Sequence, residues 1–225
     1  MSLVADAAQF LTDPASWSGP SGIPQRLLEH VGYSALTMVI ALAVAVPLGL
    51  WVGHTRRGGG VVVGLAGALR ALPTLGLLTL FTLLMGLGLL PPILALVLLA
   101  VPPILSGTYS GIAAVSPALV DAARSMGMTE RQVLTRVEIP VALPVILGGI
   151  RNAALQVLAT VTIVAYINLG GLGRYLIDGL AVRDYARMLG SVVLVAVLAL
   201  AADAVLALVQ RLVTSPGLAT AGDRP

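Results

Sequence analysis

The chain has 225 residues, of which 58% are hydrophobic and only 10% are charged, and its mean hydropathy is +1.00. Soluble domains are about 45–50% apolar and about 25% charged, so this composition is typical of a membrane protein. All 13 basic residues are arginines, and cysteine is absent. Without lysine the chain is excluded as a P-loop ATPase and as a Schiff-base enzyme, and without cysteine it has no disulfide or thiolate site.

Runs of about 20 apolar residues predict five membrane-spanning helices and therefore an all-α integral membrane protein. The N-terminal segment 1–30 lacks the pattern of a cleavable signal peptide, and we expect it to lie at the outer membrane surface. The predicted spans are about 31–52, two spans within 61–112 divided at Gly86-Leu87-Gly88 and Pro91-Pro92, then about 141–167 and 188–210.

The arginines favour an orientation with the N-terminus outside and the C-terminal tail 213–225 in the cytoplasm. Cytoplasmic segments of membrane proteins carry an excess of basic residues. The inner set in this orientation is Arg56, Arg57, Arg124, Arg131, Arg136, Arg211 and Arg224, against an outer set of Arg26, Arg174, Arg183 and Arg187.

The longest polar interruption, residues 113–140, is cytoplasmic in this orientation and predicts a helix-turn-helix. Ser116-Pro117 is a typical helix start, and Gly127 suits the end of that helix. Thr129 and Gln132 have the spacing of a capping box for a second helix, which we expect to end at Pro140. Helical spacing predicts one inner, apolar face on each helix: Ala118, Leu119, Ala122 and Met126 in the first, and Val133, Leu134 and Val137 in the second. The outer faces of the two helices carry the charged residues Asp121, Arg124, Glu130, Arg131, Arg136 and Glu138.

The spacing within this loop resembles the cytoplasmic signature of ATP-binding-cassette (ABC) importer permeases. That signature reads Glu-Ala-Ala, three residues, Gly, nine residues and Ile-x-Leu-Pro. Here Asp121-Ala122-Ala123, Gly127 and Val137-Glu138-Ile139-Pro140 stand at the matching positions, with Asp121 in place of the glutamate. The chain is therefore similar to the type I, MetI-like family of importer permeases, with the permease core expected at residues 31–212.

The resemblance implies a transport subunit that is not itself an enzyme and binds no cofactor, because a separate cytoplasmic ABC ATPase binds the ATP. It also implies a second permease subunit, identical or paralogous, an extracytoplasmic solute-binding protein, no nucleic-acid partner, and a place in a bacterial or archaeal plasma (inner) membrane. In the family this loop is the coupling element that docks on the ATPase. The coupling residues carried over are Asp121, Ala122, Ala123, Arg124, Gly127, Glu130, Arg131 and Pro140.

Polar residues inside spans are costly, and they mark either a solute path or hydrogen bonds between neighbouring helices. Asn152, Gln156 and Thr160 recur every four residues, so they share one face of the fourth span. Asp203 is an isolated acid in the fifth span, with an arginine as its expected partner. A kink is predicted in the second span at Pro73-Thr74. The candidate residues of the solute path are Arg70, Pro73, Thr74, Tyr109, Asn152, Gln156 and Thr160.

Within the family, Arg70-Ala71-Leu72-Pro73-Thr74 and Thr108-Tyr109-Ser110-Gly111-Ile112 resemble permeases for osmoprotectants such as glycine betaine, choline or carnitine, as does Pro103-Ile104-Leu105. Amino-acid and methionine permeases share the loop and the size, and they stay open as the alternative. The two Trp, five Tyr and two Phe are scattered, so we expect a separate binding protein to select a quaternary ammonium solute.

Two further classes are weighed against a permease driven by ATP. A secondary transporter usually carries several acids or histidines inside the membrane, and here only Asp203 fits that description. A membrane enzyme needs a cluster of titratable groups at one depth, and the sequence has neither metal-ligand spacing nor a Ser/His/Asp set.

Overall fold

The computed structural model describes residues 2–213, so the predicted tail from Thr214 onward, with Arg224, lies outside the described residues. Residues 2–213 are mostly helical and contain no β-strand. The α-helices are α1 (Leu3–Thr12), α2 (Ile23–Thr55), α3 (Gly59–Ala71), α4 (Thr74–Met85), α5 (Leu90–Ala113), α6 (Pro117–Ser125), α7 (Glu130–Val133), α8 (Ile139–Thr160), α9 (Gly173–Val182) and α10 (Tyr185–Val213). Two 3-10 helices cover Pro14–Trp17 and Val161–Ile167, and a π-helical turn covers Leu134–Glu138.

Four helical segments of the described chain are long and apolar enough to cross a membrane: α2, α5, the continuous run Glu130–Ile167, and α10. A fifth crossing is present if α3 and α4 together count as one span. The prediction of an all-α membrane protein with about five spans is confirmed. About 20 helical residues cross the hydrocarbon core, so the 38-residue run is longer than a crossing needs, and we assign its part before Pro140 to the loop outside the membrane.

The predicted second span is broken at Leu72 and Pro73. The two helices on either side, α3 and α4, are bent by 82° at this break. Pro73 is the N-cap residue of α4, a position at which the helix requires no backbone N–H. The predicted kink is confirmed. By contrast, α5 runs through Pro102 and Pro103 as one helix.

The second helix of the loop does not end at Pro140, and that prediction was wrong. A proline inside an α-helix removes one hydrogen bond, and its ring clashes with the carbonyl four residues earlier. The helix passes Pro140 because a wider π-helical turn precedes it, in which the Ile139 N–H donates to the Leu134 carbonyl. α7, the π turn and α8 are therefore continuous.

The described chain divides into two compact units. Of the described residues, unit 1 contains those up to Ile40, Leu72–Leu99 and Ala154–Ala202, and unit 2 contains Ala41–Ala71, Ala100–Ala153 and those from Asp203 to Val213. Within unit 2 the helices pack through glycines. A Cβ on Gly107 of α5 would come within 2.8 Å of the Gly149 Cα on α8, so only glycine allows these two backbones to approach so closely.

Unit 1 contains the N-terminal segment. α2 begins at Ile23, earlier than the predicted first span, and the Ile23 side chain is buried. The Phe10 ring of α1 packs edge-on against Tyr175 of α9, with 5.4 Å between ring centroids. The Glu29 carboxylate accepts a hydrogen bond of 2.7 Å from the Gly171 N–H. The segment before α2 is thus packed onto α9.

Candidate functional site

The 113–140 loop is built from two short helices whose ends are set by local sequence. α6 begins at Pro117 after the N-cap Ser116, whose side chain forms no capping hydrogen bond. The helix ends before Gly127, which has a φ of +83° and supplies the left-handed turn that follows. Both predicted helix boundaries are confirmed. A residue with a Cβ is strained at this φ, so Gly127 sets the turn between the two helices.

The second helix of the loop starts with the predicted capping box. The Thr129 hydroxyl accepts from the Gln132 N–H at 3.4 Å, and the Gln132 side chain accepts from the Thr129 N–H at 2.8 Å. This reciprocal pair satisfies two backbone donors that a helix start otherwise leaves without partners.

The buried side of α6 differs from the prediction. Val120 and Ala123 are buried, in a cluster with Val133, Ile112 and Ala142. The face predicted to be inner was wrong, because it points away from that cluster. Its members stay largely accessible, with Leu119 at 43% and Met126 at 73% exposure and Ala118 and Ala122 also exposed. In the second helix Val133 is buried and Leu134 and Val137 are half-buried, which confirms that prediction.

Charged residues of the two loop helices pair with one another. The Arg124 guanidinium donates two hydrogen bonds to the Glu130 carboxylate, at 2.9 and 3.0 Å, and lies 3.5 Å from a carboxylate oxygen of Asp121. The bond with Glu130 raises the pKa of Arg124 above its ordinary value, and the bond from Arg124 lowers the pKa of Glu130. Both groups therefore stay charged, and they join α6 to α7 across Gly127.

Glu138 was predicted on the outer face, and the structure corrects this. Its side chain is only 2% exposed, and its carboxylate lies 2.5 Å from Nδ1 of His54 at the end of α2. The other ring nitrogen of His54 lies 3.2 Å from the Glu130 carboxylate. The sequence contained one signal for this burial: Glu138 follows the apolar Leu134 by four residues and therefore shares its helical face.

A cavity of about 340 Å³ opens beside this cluster, within unit 2. Its polar lining comes from three parts of the chain. These are the end of α2 with Arg56 after it (His54, Thr55 and Arg56), α6 (Asp121 and Arg124) and the π-helical turn (Glu138). The remaining predicted loop residues are Ala122, Arg131 and Pro140, which are exposed, and Ala123, which is buried. The structure therefore brings Asp121, Arg124 and Glu130 together as ion pairs and leaves Arg131 and Pro140 outside this group.

The predicted path residues lie on several helices. Asn152 is exposed, Gln156 and Thr160 are half-buried, and within residues 2–213 none of the three side chains forms a hydrogen bond. Arg70 is exposed in the last turn of α3, next to the break at Leu72 and Pro73, and Thr74 is the first residue of α4. Tyr109 is half-buried, and its hydroxyl packs against Gly59, where a Cβ would clash with it.

The partner of Asp203 is Arg151. The guanidinium donates two hydrogen bonds to the carboxylate, at 2.6 and 2.7 Å, so α8 and α10 are joined by a bidentate ion pair. The side chains are 34% and 31% exposed. The sequence predicted an arginine as the partner of Asp203 but did not identify it, because Arg151 is 52 positions away along the chain. Among residues 2–213 no three His, Asp or Glu side chains are grouped as metal ligands would be.

Residues 45–215 match the protein family described as binding-protein-dependent transport system inner membrane component. This match covers most of the chain. The chain belongs to this family. It is accordingly a permease subunit of an ABC importer in an inner membrane, with an ATPase and a binding protein as its partners, and ATP is hydrolysed by the ATPase.

Curated relatives cover nearly the whole permease. It is 38% identical over 190 residues to the glycine betaine/carnitine/choline transport system permease protein OpuCB of Bacillus subtilis, covering 84% of this chain and 88% of that protein. It is 36% identical to the choline transport system permease protein OpuBB of the same organism, over 86% and 89%. Identity to the osmoprotectant import permease protein OsmW of Salmonella typhimurium is 32%, over 95% and 99%.

Solved structures show the same fold. A structure of the inward-facing MetNI methionine ABC transporter matches with a TM-score of 0.75, at 21% identity, over 86% of this chain and 96% of that one. An amino acid ABC transporter matches with a TM-score of 0.66, at 23% identity, over 84% and 92%. At these identities the likeness concerns the fold, and it agrees with the all-α permease architecture.

Proposed function

We propose that this permease forms the solute path of an importer for an osmoprotectant such as glycine betaine, choline or carnitine. The observation that carries the proposal is the set of relatives at 32–38% identity, which are named for these solutes and align over more than four fifths of their own length. The matching solved permeases of methionine and amino acid transporters are less similar in sequence, at 21% and 23%.

The 113–140 loop is, in this proposal, the coupling loop that docks on the cytoplasmic ATPase. Its exposed apolar face, with Leu119, Ala122 and Met126, faces away from the permease core and is available to a partner. Exposed charges flank that face, with Asp121, Arg124, Glu130 and Arg131 among them. The rigid turn at Gly127 and the bond between Arg124 and Glu130 allow the loop to transmit a displacement rather than absorb it.

The solute path is proposed to use polar groups that the chain itself leaves without partners. Asn152, Gln156 and Thr160 fit this role because polar groups inside a membrane are costly unless a partner or water satisfies them. Arg70, Pro73, Thr74 and Tyr109 stay secondary candidates. A second permease subunit, identical or paralogous, completes the path, since one subunit of about five spans is too small to enclose it.

The orientation proposed here has the N-terminus outside, the 113–140 loop in the cytoplasm and the permease core at 31–212. The excess of arginines on the loop side supports it. A docking role for the loop requires the same orientation, because the ATPase is cytoplasmic.

The test is uptake into liposomes that contain the permease with its ATPase and binding protein. We expect uptake of labelled glycine betaine, choline or carnitine that requires internal ATP and is competed by the other quaternary ammonium solutes. Uptake should be absent when the ATPase carries a substitution that prevents hydrolysis.

Two outcomes would contradict the proposal. Efficient uptake of methionine with no competition by quaternary ammonium solutes would overturn the substrate class. Uptake of an osmoprotectant without ATP, or one driven by a proton gradient, would overturn the coupling to an ATPase.

A further inference from the structure

A buried glutamate at the junction of the loop and α8 needs an explanation. Glu138 is 2% exposed, in the last position of the π-helical turn Leu134–Glu138. Burial of a carboxylate is unfavourable unless the group is paired and hydrogen-bonded. The nearest partner is the imidazole of His54, at 2.5 Å, whose side chain is itself only 16% exposed.

His54 contacts two carboxylates that both belong to the loop. Nδ1 lies beside Glu138, and Nε2 lies 3.2 Å from Glu130, which also binds Arg124. The end of α2 is therefore joined to both ends of the second loop helix. Arg56, two residues further along, donates a hydrogen bond of 3.0 Å to the Val115 carbonyl, at the start of the loop.

The π turn sets the direction of the Glu138 side chain. An extra residue in a helix rotates the segment before it by about 100° relative to the segment after it. Such turns are frequent at functional sites. Here the π turn lies between α7 and α8, so the side chains of the two helices point in directions that one continuous α-helix would not give, and Glu138 is the last residue of this turn.

The packing agrees with these contacts. The cytoplasmic half of α2, from Ala41, belongs to the same compact unit as the loop. A Cβ on Gly53 of α2 would come within 2.7 Å of the Ile112 Cβ, so the two backbones lie in close contact just before the loop begins.

We propose that His54 and Glu138 are positioning residues, which hold the cytoplasmic end of α2 to the 113–140 loop. α2 then moves together with the loop when the ATPase displaces it. This inference rests on the proposed coupling role of the loop. Without the pair, the loop still docks and ATP is still hydrolysed, but the displacement reaches α2 only in part.

The first test measures solute transported per ATP hydrolysed, with both rates normalised to the amount of inserted permease. His54→Leu and Glu138→Leu should each lower this ratio about tenfold, and the double variant should be no worse than either one. Glu138→Gln keeps an oxygen that accepts from His54, so its ratio should stay within about threefold of the wild type. Thr79→Ala is the control: within residues 2–213 its exposed hydroxyl donates only to the Leu75 carbonyl of the same helix, and its ratio should not change.

The second test uses the absence of cysteine from the natural chain. The variant with His54→Cys and Glu138→Cys should be uncoupled, and a short bis-maleimide that links the two thiols should restore the ratio. N-ethylmaleimide, which modifies the thiols without linking them, should not restore it. A leucine variant with a normal ratio, an unlinked cysteine variant that is fully coupled, or a linked one that stays uncoupled would overturn the proposal. Failure of the proposed function is distinguishable, because the unmodified permease would then show no uptake driven by ATP.

Discussion

The charged groups of the 113–140 loop and the uncharged polar stripe of α8 differ in their hydrogen-bond partners. In the loop Arg124 and Glu130 are partners of one another. Along α8, Asn152, Gln156 and Thr160 form no side-chain hydrogen bond within residues 2–213. Polar groups with partners in the same chain fix a local structure, whereas polar groups without them in a membrane helix are available to a solute, to water or to a second subunit. We therefore propose that the loop acts as a rigid element and that the stripe on α8 is a surface for contact.

Gly127→Leu should have the largest effect on uptake, because it changes the turn that sets the angle between the two loop helices. At a φ of +83° a leucine is strained by about 1–2 kcal/mol, and relief of that strain changes the angle between α6 and α7. We expect uptake driven by ATP to fall to background while the permease stays inserted. The measurement is uptake per inserted permease.

Gly148→Ala is the matched control for this substitution. Gly148 lies in α8 with open space around its Cα, so a methyl group should leave uptake unchanged. Normal uptake in Gly127→Leu would show that the turn has no part in coupling.

Asp203→Leu should have the next largest effect, and it acts on the helices rather than on the loop. The substitution leaves the Arg151 charge without its partner at membrane depth. We expect the amount of folded permease in the membrane to fall several-fold, as measured by quantitative blotting and thermal unfolding in detergent. The double variant with Arg151→Leu should recover most of that amount. A double variant as poor as the single one would show that the pair does not act as a unit.

These cases also show what the sequence can predict. The end of α6 at Gly127, the capping box at Thr129 and the break at Pro73 follow from residues within one turn of each other, and all three are confirmed. The pair of His54 with Glu138 and the pair of Arg151 with Asp203 join helices far apart along the chain, so local patterns did not reveal them.

The prediction of the inner face of α6 was wrong for another reason. Ala118, Leu119, Ala122 and Met126 have the spacing of a buried stripe, yet Val120 and Ala123 occupy the core. An apolar stripe indicates that a face is covered by something, and periodicity alone does not say whether the cover is the same chain or a partner.

Gln156→Leu should have an intermediate and selective effect. Removal of the amide from the middle of the polar stripe should lower maximal uptake several-fold and leave the amount of permease unchanged, because the side chain has no hydrogen-bond partner within residues 2–213. The check is uptake at saturating solute, with a blot for abundance. A variant that loses abundance in proportion to uptake would assign Gln156 to helix packing.

Glu130→Gln should have the smallest effect, since its ion pair is exposed to solvent. Because Arg124 lowers the pKa of Glu130 below the ordinary 4.5, the folded loop gains stability above that pH and loses it as the pH falls through the lowered value. The wild type should therefore protect the loop slightly better than the variant at neutral pH, and the difference should vanish in acid. Hydrogen exchange of the loop amides measures this, and a difference that grows in acid would contradict it.

Single cysteines in the cysteine-free chain can measure whether the ATPase acts on the 113–140 loop. Met126→Cys lies on the exposed face of the loop, and Val182→Cys is equally accessible at the end of α9, with exposures of 73% and 72% for the native side chains. We expect a maleimide to label both cysteines in the isolated permease, and we expect the assembled ATPase to protect only Met126→Cys. Equal labelling of Met126→Cys with and without the ATPase would show that the ATPase does not act on this loop.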